Sequence, residues 1–214
     1  MKFFLSIAGN IGVGKTTLAQ LCADYFHCSL YLEKFVENPY LSDFYENMER
    51  WSFHSQLFFL TQNFKAHLEI DQFQGICIKD RTIYEDSEVF ATNLFKQGLM
   101  NQRDFTCYQD IYQTMISTLK YPDLIIYLKA SPAVLIKRIQ MRERTFEQKI
   151  NEKYLRQINL TYHEWIKKVS DKTNILTVDT DHFNVFEDYD KLEQIYESIE
   201  KVMKRLNTGL RTQV

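Results

Sequence analysis

The chain has 214 residues, of which 45% are hydrophobic, and its formal net charge is −2. This length and apolar fraction suffice for one well-buried core, and no linker rich in proline, glycine or serine divides the chain, so we expect a single domain over residues 1–214. The nearly balanced charge, without a long basic run, argues against nucleic-acid partners and against a polybasic membrane anchor.

Short apolar runs alternate with helical patterns along the chain. The apolar runs predict strands at residues 3–8, 29–32, 76–79, 123–129 and 175–178. The helical patterns predict helices at 15–26, at about 49–70, in two stretches between 84 and 119, after Pro132, at about 150–169 and at the C-terminal end. Alternation of this kind predicts an α/β fold: a five-stranded parallel sheet flanked by helices on both faces. Ligands of such sheets bind beyond the carboxyl ends of the strands.

A phosphate-binding loop follows the first predicted strand. The segment GNIGVGKTT matches the pattern G-x-x-x-x-G-K-[ST]. Its glycines let backbone N–H groups approach phosphate oxygens, Lys15 supplies a positive charge, and Thr16 offers a hydroxyl to Mg²⁺. The sequence therefore predicts an ATP or GTP site, built from Gly9, Asn10, Ile11, Gly12, Val13, Gly14, Lys15, Thr16 and Thr17.

Charged residues follow the second and third predicted strands. Glu33 ends the second strand, and Asp80 and Arg81 end the third. Single charges at strand ends are common, but three beside a phosphate loop suit a phosphotransferase. One carboxylate accepts the proton of an attacking hydroxyl, another helps to hold Mg²⁺, and the arginine offsets charge on the transferring phosphoryl group.

Two amides lie on one face of the helix predicted at 49–70. Gln56 and Asn63 are seven residues apart, so they differ by about 20° around the helix axis. A buried amide without partners costs roughly 1–3 kcal/mol, so either this face is solvated or a polar group meets it. On this stretch alone the solvated face is the simpler interpretation.

Three arginines follow in the segment KRIQMRERTFEQK. Arg138 and Arg142 have the i, i+4 spacing of one helical face, with Arg144 just beyond. A solvated basic helix end is the ordinary interpretation. The alternative is a mobile lid at about 138–150, whose arginines close over the phosphates of ATP.

The cysteines and the start of the chain bear on location. No C-x-x-C spacing occurs, so we expect buried reduced thiols rather than disulfides or a zinc site, at Cys22, Cys28, Cys77 and Cys107. The glycine loop begins before a signal peptide could develop, and no apolar run has the length of a membrane span. The sequence therefore predicts a cytoplasmic protein.

Five segments occur in one order over residues 1 to about 165: GNIGVGKTT, YLEK followed by ENPYLSDFYENMERWSF, KDRTIYEDSEVFATNLF, DLIIYLKASP and RIQMRERTFEQKI. Together they resemble the deoxyribonucleoside kinase family, in particular its bacterial deoxyadenosine/deoxyguanosine kinase branch. The resemblance implies a P-loop kinase fold, ATP and Mg²⁺ as co-substrate and cofactor, and a homodimer whose interface could use the aromatic helices between residues 49 and 119.

The resemblance also implies roles for single residues. Glu33 matches the carboxylate that deprotonates the nucleoside 5′-hydroxyl, and Asp80 is the second choice for that base. Asp80 matches the acid linked to Mg²⁺, and Arg81 the arginine at the 5′ end and the phosphates. Tyr45 and Glu147 match residues that bind the sugar 3′-hydroxyl.

Gln56, Asp86 and Phe90 match the pocket for the base, which gives Gln56 a nucleobase edge as its partner. Two positions depart from the family. Many relatives have arginine where this chain has Asn63, within reach of Asp86, so the base preference is open. Glu143 stands where the family usually has glycine between the lid arginines, and we expect weaker ATP binding from it.

Three alternatives remain at this stage. A thymidylate kinase would also have a phosphate loop and an Asp-Arg pair, but its acceptor is already anionic and Glu33 would repel it. A GTP-binding switch requires D-x-x-G and [NT]-K-x-D, and neither pattern occurs in the chain. A non-catalytic ATP-binding module would not explain the sugar-binding matches. The sequence thus predicts a salvage kinase that transfers the γ-phosphoryl group of ATP to the 5′-hydroxyl of a deoxyribonucleoside, with deoxyadenosine or deoxyguanosine as the expected acceptor.

Overall fold

The structure, a computed structural model, describes residues 2–142, 144, 147 and 150–208. Within them, five strands form one parallel sheet in the order β2-β3-β1-β4-β5. The strands are β1 (Phe3–Gly9), β2 (Ser29–Tyr31), β3 (Ile76–Asp80), β4 (Leu124–Lys129) and β5 (Asn174–Asp179). The predicted strands are confirmed, with differences of one residue at most ends.

Helices connect the strands. They are α1 (Lys15–Phe26), α2 (Leu41–Glu46), α3 (Met48–Gln72), α4 (Ile83–Glu85), α5 (Thr92–Lys96), α6 (Gln102–Ile116), α7 (Pro132–Gln140), α8 (Glu152–Val169) and α9 (Tyr189–Asn207). A 3₁₀ helix spans Phe35–Glu37, and a π-helix spans Asp86–Ala91 between α4 and α5. None of the helices in the described ranges combines the length and the apolar character that a membrane span needs.

The core lies on both faces of the central strand. All seven residues of β1 are buried, which requires cover on both faces of the sheet and explains why its sequence is apolar without alternation. The carboxyl ends of β1, β2 and β3 therefore meet at one edge, with the phosphate loop above β1. This edge carries Glu33, Asp80 and Arg81.

Three sequence-based expectations differ from the structure. Helix α2 was not expected, because six residues cannot hold a helix alone and it forms by packing against α3. Helix α7 ends at Gln140, so Arg138 and Arg142 do not share one helical face. Like charges at i, i+4 destabilise a helix, which is consistent with this early end. All four cysteines are free, but Cys107 is exposed and Cys28 half-buried rather than buried.

Candidate active site

The phosphate loop is shaped by two close approaches of its backbone. Gly9 has φ +146°, and a Cβ there would lie 2.6 Å from the carbonyl oxygen of Leu128. Gly12 has φ +83°, and a Cβ there would lie 2.9 Å from Ile139. Only glycine fits both positions. Gly14 caps α1 without a side-chain hydrogen bond, so the first N–H groups of α1 remain available to a phosphate.

Lys15 folds back onto this loop. Its Nζ donates to the carbonyl oxygen of Asn10 at 3.1 Å. Burial, together with the positive charge of Arg81, lowers the pKa of the Lys15 ammonium to about 8. A phosphate that replaced the Asn10 carbonyl would raise this pKa again, because an anion favours the ammonium.

Asp80 faces the phosphate loop from the end of β3. The hydroxyl of Thr16 donates to Asp80 Oδ2 at 2.5 Å, and Asp80 Oδ1 is buried without a hydrogen-bond partner. A hydroxyl and a carboxylate oxygen are ligands that suit Mg²⁺. No group of three or more His, Cys, Asp or Glu side chains among the described residues is arranged to hold a metal. Mg²⁺ at this point would therefore need ligands from nucleotide phosphates or water.

Glu33 is paired with Arg81. Nη1 of Arg81 donates to Glu33 Oε1 at 2.9 Å, and both side chains are largely buried. The guanidinium of Arg81 also lies 4.1 Å from the centre of the Phe90 ring. Arg81 has φ +60°, an uncommon conformation for a residue with a Cβ. Burial would lower the pKa of this guanidinium, but Glu33 raises it well above its usual value.

A cavity of about 70 Å³, which we call the inner cleft, lies between the phosphate loop, α2, α3 and the π-helix. It begins at Lys15 and Thr16 and is lined by Glu33, Tyr45, Gln56, Arg81, Asp86, Phe90 and Glu147. All of the predicted substrate-binding residues except Asn63 line it. Gln56 and Asn63 are only 4% and 3% exposed, so the solvated face that the helix pattern favoured is wrong.

Asn63 lies directly behind Asp86. Its Nδ2 donates to Asp86 Oδ2 at 2.7 Å, with both side chains buried. The π-helix has a wider turn than an α-helix and carries both Asp86 and Phe90, which face the same cleft. Position 63 therefore lies within reach of Asp86, as the resemblance implied, and the partner of Asp86 there is the Asn63 amide.

The opposite wall of the inner cleft holds Glu147. Arg144 Nη1 donates to Glu147 Oε1 at 3.0 Å, while Glu147 Oε2 is buried without a hydrogen-bond partner. Arg144 also lies 4.0 Å from the centre of the Phe35 ring. Burial raises the pKa of the Tyr45 phenol well above its usual value, and nearby Tyr154 and Glu147 add to this shift. The unpartnered carboxylate oxygen can accept a hydrogen bond from a hydroxyl in the cleft.

A larger cavity, which we call the outer cleft, lies on the other side of the phosphate loop. Its volume is about 560 Å³, and it is lined by Gly12, Thr17, Arg138, Arg142, Phe183 and Phe186 among others. Arg138 Nη2 donates to the carbonyl oxygen of Thr180 at 2.6 Å, and Nη1 to that of Val13 at 3.3 Å. Arg138 thus ties the phosphate loop to the segment after β5. Arg142 borders both clefts.

The comparisons with known proteins agree with this geometry. The deoxynucleoside kinase family model matches residues 5–204. The chain belongs to the deoxynucleoside kinase family. A Bacillus subtilis deoxyadenosine/deoxycytidine kinase is 32% identical over 201 residues, which cover 93% of this chain and 92% of that relative. A Bacillus subtilis deoxyguanosine kinase is 35% identical over 181 residues, which cover 83% of this chain and 86% of that relative.

A solved structure confirms the P-loop kinase fold of this deoxynucleoside kinase. Deoxyadenosine kinase from M. mycoides with bound dCTP superposes with a TM-score of 0.82 at 27% sequence identity. The match covers 93% of this chain and all of that chain. This deoxynucleoside kinase is therefore an ATP-dependent phosphotransferase that acts on small molecules. The similarity extends well beyond residue 165, where the sequence motifs ended.

The predicted lid of this deoxynucleoside kinase is described only in part. Residues 143, 145, 146, 148 and 149 lie outside the described residues, and the expectation for Glu143 falls among them. Of the lid arginines, Arg138 contacts the backbone on either side of the outer cleft, and Arg144 contacts Glu147. The lid, and the contact of its arginines with ATP, stay predictions.

Sequence reasoning missed a buried network behind the phosphate loop. The hydroxyl of Tyr162 lies 2.7 Å from Glu85 Oε2 and 2.8 Å from the carbonyl oxygen of Gly9. Glu85 Oε1 accepts from the backbone N–H of Thr82, which is the N-cap of α4. The pattern T-x-x-E at 82–85 is a capping-box signal, so Glu85 could have been found. No local signal marks Tyr162.

Sequence reasoning also missed the segment after β5. It assigned no chemistry to the C-terminal forty-odd residues, but Thr180, Phe183 and Phe186 line the outer cleft. The rule that ligands lie beyond the carboxyl ends of strands applies to β5 as well as to β1, β2 and β3. Applied to β5, that rule could have identified this segment from the sequence.

Proposed function

We propose that this deoxynucleoside kinase transfers the γ-phosphoryl group of ATP, with Mg²⁺, to the 5′-hydroxyl of deoxyadenosine or deoxyguanosine in nucleotide salvage. The observation that carries the proposal is the inner cleft, which joins the phosphate loop to a buried Glu33–Arg81 pair and to Gln56 and Asp86. Purified protein with a nucleoside and Mg·ATP tests it directly.

Glu33 acts as the general base. A neutral hydroxyl must lose its proton as it attacks, and a carboxylate beside it accepts that proton. Glu33 lines the inner cleft and one of its oxygens accepts from Arg81. Asp80, the second choice, is engaged by the Thr16 hydroxyl through Oδ2, which suits a role at the metal instead.

The residues around the phosphates of ATP act by positioning the phosphates and by offsetting their charge. Backbone N–H groups of residues 9–17, with Lys15, hold the phosphates of ATP. Thr16 and Asp80 would hold Mg²⁺, which would neutralise charge on the phosphates. The Asp80 Oδ1 atom, buried and without a partner, supports this assignment. Arg81 and the lid arginines Arg138, Arg142 and Arg144 stabilise charge that develops on the transferring group.

Tyr45 and Glu147 hold the 3′-hydroxyl of the sugar. The unpartnered Glu147 Oε2 in the inner cleft supports a hydrogen bond to that hydroxyl. The cleft is narrow, so an added 2′-hydroxyl would have little room, and we expect deoxyribose to be preferred over ribose. Equal kcat/KM values for adenosine and deoxyadenosine would contradict this part of the proposal.

The outer cleft receives the nucleoside part of ATP. It is separated from the inner cleft by the phosphate loop, so a donor there and an acceptor in the inner cleft would approach the loop from opposite sides. Phe183 and Phe186 offer aromatic surface for a base, and the exposed ring of Phe186 is available for stacking.

We further propose that residues 1–214 form one domain, that the protein is a homodimer, and that it works in the cytoplasm. Partly exposed aromatic residues on α3, such as Phe53 and Phe58, support an interface with a second copy. Four free cysteines suit a reducing compartment. Light scattering of the purified protein would report the oligomeric state.

The decisive experiment is a steady-state panel with Mg·ATP. It measures kcat/KM for the four deoxyribonucleosides and for deoxythymidine monophosphate. We expect deoxyadenosine or deoxyguanosine to be preferred by at least about tenfold, which corresponds to about 1.4 kcal/mol of differential transition-state binding. Activity on the monophosphate with none on nucleosides would contradict the assignment of Glu33 as a base.

A further inference from the structure

The side chain of Asp86 is unusual among the buried acids of the inner cleft, because its hydrogen-bond partner is uncharged. Glu33 is paired with Arg81, and Glu147 with Arg144. Asp86 is 2% exposed, and its Oδ2 accepts from the amide of Asn63 at 2.7 Å. An amide can donate a hydrogen bond to an ionised or a protonated carboxyl group, and although the bond to the ionised form is stronger, the amide carries no charge that would hold Asp86 ionised.

We propose that Asp86 selects the nucleobase by its protonation state: when ionised it favours bases that present an exocyclic amino group, and when protonated it loses that preference. The proposal rests on the proposed function, since it assigns the base to the end of the inner cleft that Gln56, Asp86 and Phe90 line.

The chemistry follows from the hydrogen-bonding capacity of a carboxyl group. An ionised carboxylate only accepts, so it bonds to an amino group and repels a carbonyl oxygen at the same position. A protonated carboxyl carries one O–H donor, which bonds to a carbonyl oxygen. With Oδ2 occupied by Asn63, the remaining oxygen of Asp86 is the one that can meet the base. Ionised Asp86 therefore suits adenine, which has an amino group where hypoxanthine and guanine have a carbonyl oxygen.

The surroundings make both protonation states accessible near neutral pH. Burial is the largest effect and raises the pKa of the Asp86 carboxyl to about 7; the hydrogen bond from Asn63 lowers it, and the charge of Glu33 raises it. Arg81 opposes this rise, but its guanidinium is already paired with Glu33. The titratable or charged groups that face Asp86 are Glu33 beyond β2, Lys79 on β3, Arg81 after β3, Glu85 on α4 and Tyr108 on α6.

The test is a competition between deoxyadenosine and deoxyinosine, which differ in the amino or carbonyl group at position 6. Both are mixed with the full-length protein and Mg·ATP, and the ratio of the two products gives the ratio of kcat/KM values. Effects of pH on Glu33, on ATP and on the metal act on both reactions and cancel. Because kcat/KM reports ionisation of the free enzyme, a group with a pKa of about 7 changes the ratio about tenfold between about pH 6 and about pH 8.

We expect the ratio of deoxyadenosine to deoxyinosine to rise about tenfold over this range in the unmodified protein. Two variants serve as matched controls. Asp86→Asn cannot titrate, so its ratio should not depend on pH. Asn63→Arg places a permanent positive charge against Asp86 and keeps it ionised, so its ratio should stay high throughout the range. Asn63→Arg also provides a second test if Asp86→Asn does not fold.

A ratio in the unmodified protein that stays constant, or falls, as the pH rises would overturn the inference and leave the proposed function intact. A rise that persists in Asp86→Asn would also overturn it, because another group would then be responsible. If neither nucleoside is phosphorylated at any pH, the proposed function fails, and the inference fails with it.

Discussion

The inner and outer clefts meet at the same phosphate loop but differ in how their polar groups are bound. The inner cleft, of about 70 Å³, is lined by charged side chains that form ion pairs with one another: Glu33 with Arg81, and Glu147 with the half-buried Arg144. The outer cleft, of about 560 Å³, is wider, and Phe186 at its wall is 65% exposed.

The difference indicates where selectivity lies. A site that buries polar groups rejects a ligand that leaves them unpaired, and this penalty exceeds what an apolar pocket can impose. The inner cleft is therefore the selective one, and substitutions there should change kcat or the choice of substrate. The outer cleft has fewer buried polar groups, so substitutions there should change the KM for ATP and little else.

The largest effect should come from Glu33→Gln. It keeps the shape of the side chain but removes the proton acceptor, so we expect kcat to fall by about 10³-fold, within the range that positioned acids and bases contribute. The KM for ATP should change little. Initial-rate measurements with varied ATP and nucleoside separate the two parameters.

Glu37→Gln is the matched control, because Glu37 is exposed and pairs with Lys34 on the surface. It should leave kcat unchanged. Near-normal turnover of Glu33→Gln would transfer the role of the base to Asp80.

A smaller effect, on stability, is expected for substitutions in the buried network of Tyr162 and Glu85 behind the phosphate loop. One phenol proton of Tyr162 cannot serve both Glu85 and the Gly9 carbonyl, and burial raises the pKa of the Glu85 carboxyl. A protonated Glu85 that donates to the phenol, which donates to Gly9, satisfies every group. Tyr162→Phe should then lower the free energy of unfolding by about 1–3 kcal/mol, because the buried Glu85 carboxyl and the Gly9 carbonyl oxygen would both lose a hydrogen-bond partner.

Glu85→Gln is the informative partner of Tyr162→Phe, since an amide can donate to the phenol as the protonated acid does. Glu85→Gln should lower the free energy of unfolding, measured by urea denaturation, by less than about 1 kcal/mol. A cost as large as that of Tyr162→Phe would mean that Glu85 is ionised in the folded protein.

In the outer cleft, Arg138→Lys should raise the KM for ATP by about five- to tenfold. Lysine has one nitrogen and cannot donate to the carbonyl oxygens of both Val13 and Thr180 as Arg138 does. The loss of one hydrogen bond costs about 1 kcal/mol. We expect kcat to change less than twofold, roughly 0.4 kcal/mol, because lysine keeps the positive charge that acts on the transferring group. Arg156→Lys, at an exposed ion pair on α8, is the control. A fall in kcat with unchanged KM for ATP would contradict this, because it would show that the transferring group needs the guanidinium itself and not only a positive charge.

The smallest effect is expected for Phe186→Leu in the outer cleft, and Phe90→Leu in the inner cleft provides the comparison. Phe186→Leu removes an exposed ring, so we expect at most about a twofold change in the KM for ATP, roughly 0.4 kcal/mol. Phe90→Leu removes a buried ring beneath Arg81 and should raise the KM for the nucleoside by about tenfold, roughly 1.4 kcal/mol. Equal effects in both kinetic assays would contradict the contrast between the clefts.

Much of the inner cleft could be predicted from the sequence, because its residues lie in long motifs with a fixed order. The strand-end rule located Glu33 and Arg81, and the family resemblance located Tyr45 and Glu147. The burial of Gln56 and Asn63 could not be predicted from their helix, since a polar face is usually solvated. It depends on the π-helix, which packs against α3 and brings Asp86 to Asn63.

The order of the strands, most of the helices, the phosphate loop and the family could be predicted from the sequence, because apolar periodicity and the glycine-lysine spacing are local properties of the chain. Which side chains meet is a property of the tertiary structure. Tyr162 and Gly9 are 153 residues apart in the chain, and Arg138 and Val13 are 125 apart, yet both pairs form hydrogen bonds. Contacts of this kind depend on how helices pack on the sheet, and no short stretch of sequence encodes that packing.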